Sequence, residues 1–165
     1  MSTVTQKSQT DVTEKYQQRS LHLVDIENLL RDPLCEDIEY IEATISNYKQ
    51  VSGWCAGDQV LIAANHRLSK RLVFLLQDWV CRLFTAQGPD GADLRLLEEG
   101  VQEKLLTQFD QLVVGSGDRI FVDALALSRK LGLKSVTVSR SSNLSRKLAA
   151  ASDEVRTMTS QPLAA

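Results

Sequence analysis

The sequence predicts an α/β fold, with three layers (α/β/α) built around a five-stranded parallel sheet. Two observations lead to this prediction. Short apolar runs rich in β-branched residues alternate along the chain with longer segments whose apolar residues recur at helical spacing. Parallel strands need crossover helices, and right-handed crossovers leave few topologies, so helices are expected to cover both faces of the sheet.

The five predicted strands are short apolar runs, most of which end in small or polar residues. They are LHLVDI (21–26), DQVLIAA (58–64), VCRLFTA (80–86), QLVVGS (111–116) and KSVTVS (134–139). Helices are predicted between them, where apolar residues recur as Ile38, Ile41, Ile45 and Tyr48, as Leu68, Leu72, Leu75 and Leu76, and as Leu94, Leu97, Val101, Leu105 and Phe109. A further helix is predicted to end near Gly132, a typical C-cap, and a last helix to run from Asn143 to Met158.

The bulk composition predicts one domain. The 165 residues, 43% hydrophobic and 24% charged, fit a single core. We expect a flexible polar leader over residues 1–19, a domain over 20–160 and a short tail over 161–165. No apolar run approaches the roughly 18 residues of a membrane span, and the polar start indicates a cytoplasmic protein. Cys35, Cys55 and Cys81 lack a CxxC spacing, which argues against a disulfide framework or a zinc site.

Acidic residues follow three of the predicted strands. Asp25 ends the first run, Asp93 follows the third after a GPDGA turn, and Asp118 follows the fourth in GSGD. Ligands of open α/β sheets bind beyond the carboxyl ends of the strands, so the three carboxylates are expected to meet in one pocket. Each aspartate taken alone has an alternative role as the cap of the helix that follows.

A divalent cation would reconcile these charges. If the first and fourth strands are neighbours, Asp25 and Asp118 lie side by side, and such proximity raises one pKa unless a cation intervenes. Mg²⁺ and Mn²⁺ prefer oxygen ligands, so two or three carboxylates with Asn28 nearby would suffice. A cation of this kind binds phosphate oxygens and lowers the pKa of a bound water, which suits phosphodiester hydrolysis.

A dinucleotide site is the weaker alternative for the same turn. GSGDRI (115–120) begins like GxGxxG, and Arg140 follows about twenty residues later, where NADP requires a cation. However, Ile120 stands at the third glycine, the turn follows the fourth strand, and Asp118 would direct a negative charge at a pyrophosphate.

Four segments together carry a family resemblance. In LHLVDIENLL an apolar strand ends in Asp25 with Asn28 three residues later, and in GPDGADLRLLEE Asp93 opens a helix with Glu98 five residues on. LVVGSGDRIFVDALALSRKLGLKSVTVSR contains a strand ending in Ser-Gly-Asp, a helix and a closing strand, and SSNLSRKLAAASDEVRTM resembles a last helix. These segments resemble the NYN branch of the PIN-like (FEN/PIN) nuclease superfamily. The sequence differs from the family pattern at one position, because Ile120 stands where members commonly carry a second acidic residue.

The resemblance implies a metal-dependent endoribonuclease that hydrolyses RNA phosphodiester bonds with Mg²⁺ or Mn²⁺. It implies that Asp25, Asp93 and Asp118 bind the ion and that Asn28 orients Asp25 or a water. Further candidate ligands are Glu98 and Asp123, the latter as a replacement for the missing acid. The candidate substrate-binding residues are Ser116, which is also expected to support the loop, and Arg119, Arg140, Arg146 and Lys147.

The departure at Ile120 and the net charge of −2 motivate a second hypothesis. The same PIN-like fold, degraded at its acidic site, would bind RNA or a partner protein without cutting. A homodimer is left open, and no membrane partner is expected.

Overall fold

The computed structural model describes residues 17–32, 34 and 37–159, so most of the predicted leader, the predicted tail and Cys35 lie outside the described residues. Strands and helices alternate along the chain. They are β1 Ser20–Asp25, α1 Ile26–Leu29, α2 Ile38–Ser52, β2 Gln59–Ala64, α3 His66–Leu75, β3 Arg82–Thr85, α4 Gly91–Gly100, α5 Glu103–Leu106, β4 Gln111–Gly115, α6 Val122–Lys130, β5 Lys134–Ser139, α7 Arg146–Ala151 and β6 Glu154–Thr157.

All described strands form one parallel sheet in the order β3-β2-β1-β4-β5-β6. The predicted α/β class and parallel sheet are therefore confirmed. β1 pairs with β2 on one side and with β4 on the other, where Val24 lies opposite Gly115. The strand order reverses between β1 and β4, and a crevice at the carboxyl ends of the strands is expected at such a switch point.

The strand count differs from the prediction, because a sixth strand replaces the end of the predicted last helix. α7 ends at Ala151, and the chain then turns at Asp153, whose carboxylate accepts hydrogen bonds from the backbone N–H and the hydroxyl of Ser135 at 2.9 and 3.1 Å. β6 follows and pairs in parallel with β5. The helical pattern stops at this turn, and the β-branched Val155 and Thr157 alternate with charged residues as in an edge strand.

Helices contribute to a core on each face of the sheet, as the three-layer prediction requires. Alternate residues of β1 point to opposite faces: Leu23 enters the core that contains α4, α6 and α7, and Val24 the core that contains α1, α2 and α3. The single predicted helix over 94–109 is divided into α4 and α5. Gly100 ends α4 where the chain approaches β1, and a Cβ there would lie 2.3 Å from Leu23.

A buried polar network joins β1 to the helix layer, and it accounts for His22. One ring nitrogen of His22 bonds the hydroxyl of Tyr48 at 2.8 Å, and the other bonds the carboxylate of Asp58 at 3.1 Å. Burial opposes ionisation of Asp58, but these contacts and the N–H groups of Ser20 and Cys55 hold its pKa below the usual value. His22 is therefore a satisfied core residue, as the sequence predicted. Among the described helices, none has the length and apolar content needed to cross a membrane.

Candidate metal centre

The chain directly after β1 and β4 positions two of the predicted carboxylates. Asp25 ends β1, and its side chain accepts the Asn28 N–H at 3.4 Å at the start of α1. Asp118 follows β4 and accepts the Ile120 N–H at 3.0 Å in a short 3₁₀ turn. The capping role considered for each aspartate is thus present for both of them. Asp93 has a different position, inside the first turn of α4, and it caps nothing.

Three aspartates converge closely enough to share one ion. One carboxylate oxygen from each of Asp90, Asp93 and Asp118 lies within 4.8 Å of the other two. Asp90 was not a predicted ligand. It precedes α4 with a left-handed backbone (φ +56°), a conformation that is uncommon outside glycine and that occurs at functional sites. The signal that would have found it is the spacing of two aspartates in GPDGAD.

Asp25 is not one of these three clustered aspartates, but its side chain is hydrogen-bonded to that of Asp93. Burial, a hydrogen bond to Asp25 and the charges of nearby aspartates raise the pKa of Asp93 to about 9. Burial also raises the pKa of Asp25, against hydrogen bonds from Asp93, Asn28 and Ser116. Without a cation, these two buried carboxyls therefore share a proton. Oxygen Oδ1 of Asp93 is buried and has no hydrogen-bond partner in the described part of the chain.

Ser116 and Asn28 hold the loop rather than lining the groove beside it. Ser116 is fully buried; its hydroxyl donates to Asp25 at 3.4 Å and accepts the Asp118 N–H at 3.2 Å. The side-chain oxygen of Asn28 accepts the Gly117 N–H at 2.8 Å. Both residues thus fix the relative position of the carboxylates after β1 and β4, and Ser116 has no exposed surface to offer a substrate.

Gly117 is required by close packing. A Cβ on this residue would lie 2.2 Å from the backbone oxygen of Asn143 and 2.6 Å from the hydroxyl oxygen of Ser139. We expect Gly117→Ala to lower the free energy of unfolding by about 1–3 kcal/mol, because the Asn143 oxygen belongs to the backbone and has little room to move. Urea denaturation measures this loss. Gly91→Ala is the control, since its Cβ meets only an ordinary contact at 3.5 Å and should leave stability equal or higher.

Two of the candidate ligands lie apart from this cluster. Glu98 is exposed on α4 and faces Arg95, with 3.9 Å between the charged atoms. Asp123 is exposed on α6; it lines the same groove as Asp118 but is not one of the three clustered carboxylates.

The predicted basic residues separate into two groups. Arg119 and Lys147 line a groove of about 660 Å³ together with Asp90 and Asp118. Arg146 is exposed on α7 and does not line this groove. Arg140 borders a different cavity, beyond α1.

The donor set fits a hard divalent cation. The clustered ligand atoms are all carboxylate oxygens, which Mg²⁺ and Mn²⁺ prefer over the softer nitrogen and sulfur ligands of zinc sites. An ion here would also partner the buried Asp93 oxygen and relieve repulsion among the carboxylates.

Fold and site together define a single-sheet parallel α/β protein with an acidic centre at its switch point. Among solved structures, the chain is similar to a protein of unknown function from Vibrio parahaemolyticus, with 13% identity, a TM-score of 0.63, and coverage of 88% of this chain and 95% of that one. This likeness concerns the fold alone. No family model matches the chain, and no curated protein matches it either.

Proposed function

We propose that this protein is a divalent-metal-dependent endoribonuclease of the PIN-like class, related to the NYN branch. The observation that carries the proposal is the convergence of Asp90, Asp93 and Asp118 beside the buried Asp25 at the switch point. Buried carboxyls that share a proton are destabilised when ionised, and a divalent cation is the partner that makes their ionised form favourable.

Asp90, Asp93 and Asp118 would hold Mg²⁺ or Mn²⁺, with Asp25 beside Asp93. Bound there, the cation would polarise a phosphate oxygen and lower the pKa of a water, as metal-dependent phosphodiester hydrolysis requires. Asn28 and Ser116 orient the carboxylates through Gly117, Asp118 and Asp25. Ser116 is buried and Asn28 is half-buried.

RNA is the proposed substrate because cations border the acidic groove. Arg119 and Lys147 line it and are exposed, so they can contact the phosphates of a strand that lies at the carboxylates. Binding through such contacts weakens as salt rises. The cytoplasmic location stays a prediction, and the sequence left a homodimer open.

The binding-module alternative was motivated by Ile120 and by the net charge of −2, and the geometry weakens the first of these two arguments. Ile120 lies half-buried in the turn after Asp118 and offers no ligand. Asp90, from the other side of the groove, brings a third carboxylate to Asp118 and Asp93. The acidic cluster thus has three members even though the position after Asp118 is apolar.

The strand order raises the dinucleotide alternative again, since nucleotide-binding α/β folds share the order 3-2-1-4-5-6. The switch-point crevice argues against it. The turn after β1 is Asp25-Ile26-Glu27-Asn28 in place of a glycine-rich turn, and the clustered carboxylates would repel a pyrophosphate.

The test uses the purified full chain with a fluorescently labelled RNA strand and a DNA strand of the same sequence. We expect RNA cleavage with Mn²⁺ or Mg²⁺ and none in EDTA, accompanied by a metal-dependent rise in the melting temperature. RNA that binds equally in EDTA and in Mn²⁺ and is never shortened would instead select the binding module. A fluorescence titration with NADPH that shows saturable binding would select the dinucleotide enzyme.

A further inference from the structure

A second polar cavity lies at the carboxyl end of the sheet, separate from the acidic groove. It is enclosed by the end of α1, by α2 and by the chain that follows β5 and β6. Its volume is about 30 Å³, which is roughly two to three times the space that one water requires. The polar residues that line it are Arg31, Tyr40, Thr44, Asn47, Arg140 and Thr159, and none of the lining residues that the structure describes carries a carboxylate.

Arg140 lines this cavity and has a buried donor without a partner among the described residues. One terminal nitrogen of its guanidinium donates to the carbonyl of Leu30 at 3.1 Å. Its Nε is buried and has no partner in the part of the chain that the structure describes. A buried donor without an acceptor lowers the stability of the folded chain. A ligand that accepts a hydrogen bond from this donor would remove that cost.

Arg31 is a second arginine that lines the cavity, and it is exposed to solvent. Its backbone N–H donates to the hydroxyl oxygen of Tyr40, which leaves the hydroxyl hydrogen of Tyr40 to donate elsewhere. Neither Arg31 nor Arg140 forms an ion pair with a carboxylate among the described residues. An anion in this cavity would therefore be attracted by two arginine charges that have no carboxylate counter-charge among the described residues.

We infer that this cavity binds a phosphate group. Guanidinium groups donate two parallel hydrogen bonds to phosphate oxygens, and a phenol hydrogen can add a third. The small volume admits the oxygens of a phosphate and leaves a base or sugar outside. The shared chemistry is thus a phosphate group, either free, at the end of an RNA strand or within it.

The cavity is connected to the acidic centre through α1. Arg140 holds the carbonyl of Leu30, and the side chain of Asn143 holds the carbonyl of Asn28 at 2.9 Å. Asn28 in turn bonds Gly117, next to Asp118. If the proposed function holds, one RNA strand could place one phosphate at the carboxylates and a second phosphate in the cavity. This link between the two sites rests on the proposed function; phosphate binding in the cavity does not.

The test measures binding of inorganic phosphate to the full chain in EDTA by isothermal titration calorimetry. We expect Arg31→Gln to weaken binding about tenfold or more, because each charge-assisted contact to phosphate is strong. Arg140→Gln should weaken it similarly, with partial recovery in Arg140→Lys. Arg31→Gln is the decisive variant, since the Arg31 side chain makes no hydrogen bond to the described residues and its loss spares the fold. Lys130→Gln, an exposed position at the end of α6, is the charge-matched control and should bind as the wild type does.

Three ligands distinguish the sources of the phosphate: inorganic phosphate, a 5′-phosphorylated RNA and the same RNA with a 5′-hydroxyl. A terminal phosphate is indicated if the phosphorylated strand binds more tightly and Arg31→Gln removes the difference. A phosphate within the strand is indicated if Arg31→Gln weakens the binding of both RNA strands equally. Free phosphate is indicated if Arg31→Gln weakens the binding of inorganic phosphate alone. The inference is overturned if Arg31→Gln binds all three ligands as the wild type does, or if Lys130→Gln weakens them as much. Since these measurements need neither metal nor cleavage, Asp118→Asn should retain phosphate binding even while failing to cut RNA.

Discussion

Replacement of Asp118 by asparagine is expected to lower metal-dependent RNA cleavage by about a hundredfold or more. Removal of a residue that hydrogen-bonds a metal ligand lowers metal affinity or activity by about 10- to 100-fold. Removal of a direct ligand should lower activity at least as much. The asparagine side chain retains an oxygen in the same place but loses the charge that holds a divalent cation. The Ile120 N–H, now at 3.0 Å from the carboxylate, still has an acceptor in the variant, so the turn should fold normally.

Asp123→Asn is the matched control for this experiment. Asp123 lines the same groove and is exposed, but it lies outside the cluster of Asp90, Asp93 and Asp118. The same charge is removed from the same groove, so any loss through general electrostatics affects both variants alike. Initial rates under excess Mn²⁺ and urea denaturation should be measured for both. Equal rates in wild type and Asp118→Asn, or equal losses in the two variants, would contradict the assignment of Asp118 as a ligand.

The architecture was predictable from the sequence because β-strands of a buried parallel sheet leave a strong local signal. The runs at β1, β2, β4 and β5 coincide with observed strands to within one residue. The last element was missed for a physical reason. Its turn depends on Asp153 accepting two hydrogen bonds from Ser135, a contact between residues 18 positions apart that a local helical pattern does not reveal.

The candidate site was predictable in part. Strand-end position alone indicated Asp25 and Asp118, because parallel strands present their carboxyl ends at one edge. Asp90 was missed because it was interpreted as part of the turn before Asp93, and its left-handed backbone could not be predicted from the sequence. Arg140 was expected to bind substrate together with Arg119, Arg146 and Lys147. Its side chain instead turns towards α1, and only tertiary packing determines that direction.

The second large effect concerns stability and pH in the absence of metal. The pKa of Asp93 is about 9 in the folded chain, against an ordinary value of 3.8. Between these values the folded chain keeps a proton that the unfolded chain has released. The free energy of unfolding must therefore fall as pH rises from about 4 to about 9. We expect a loss on the order of 2 kcal/mol between pH 6 and pH 9, less than the full shift implies because Asp25 shares the proton.

Mg²⁺ should offset this loss of stability at high pH. A cation binds the ionised carboxylates, so it stabilises the folded chain most where the proton is lost. At pH 9 the addition of millimolar Mg²⁺ is expected to raise the free energy of unfolding more than it does at pH 6. Urea denaturation at pH 6 and pH 9, each in EDTA and in Mg²⁺, gives the four free energies of unfolding that this comparison needs.

Asp93→Asn separates this effect from other titrations. The amide cannot ionise, and its NH₂ group can donate a hydrogen bond to Asp25, so the metal-free variant should be nearly as stable at pH 9 as at pH 6. It should also gain little from Mg²⁺, because a ligand has been removed. Glu98→Gln, on the exposed face of the same helix, should retain the wild-type pH dependence. A wild-type protein whose stability in EDTA does not fall towards pH 9, or an Asp93→Asn variant that falls as steeply, would show that the buried carboxyls do not hold a proton that a cation replaces.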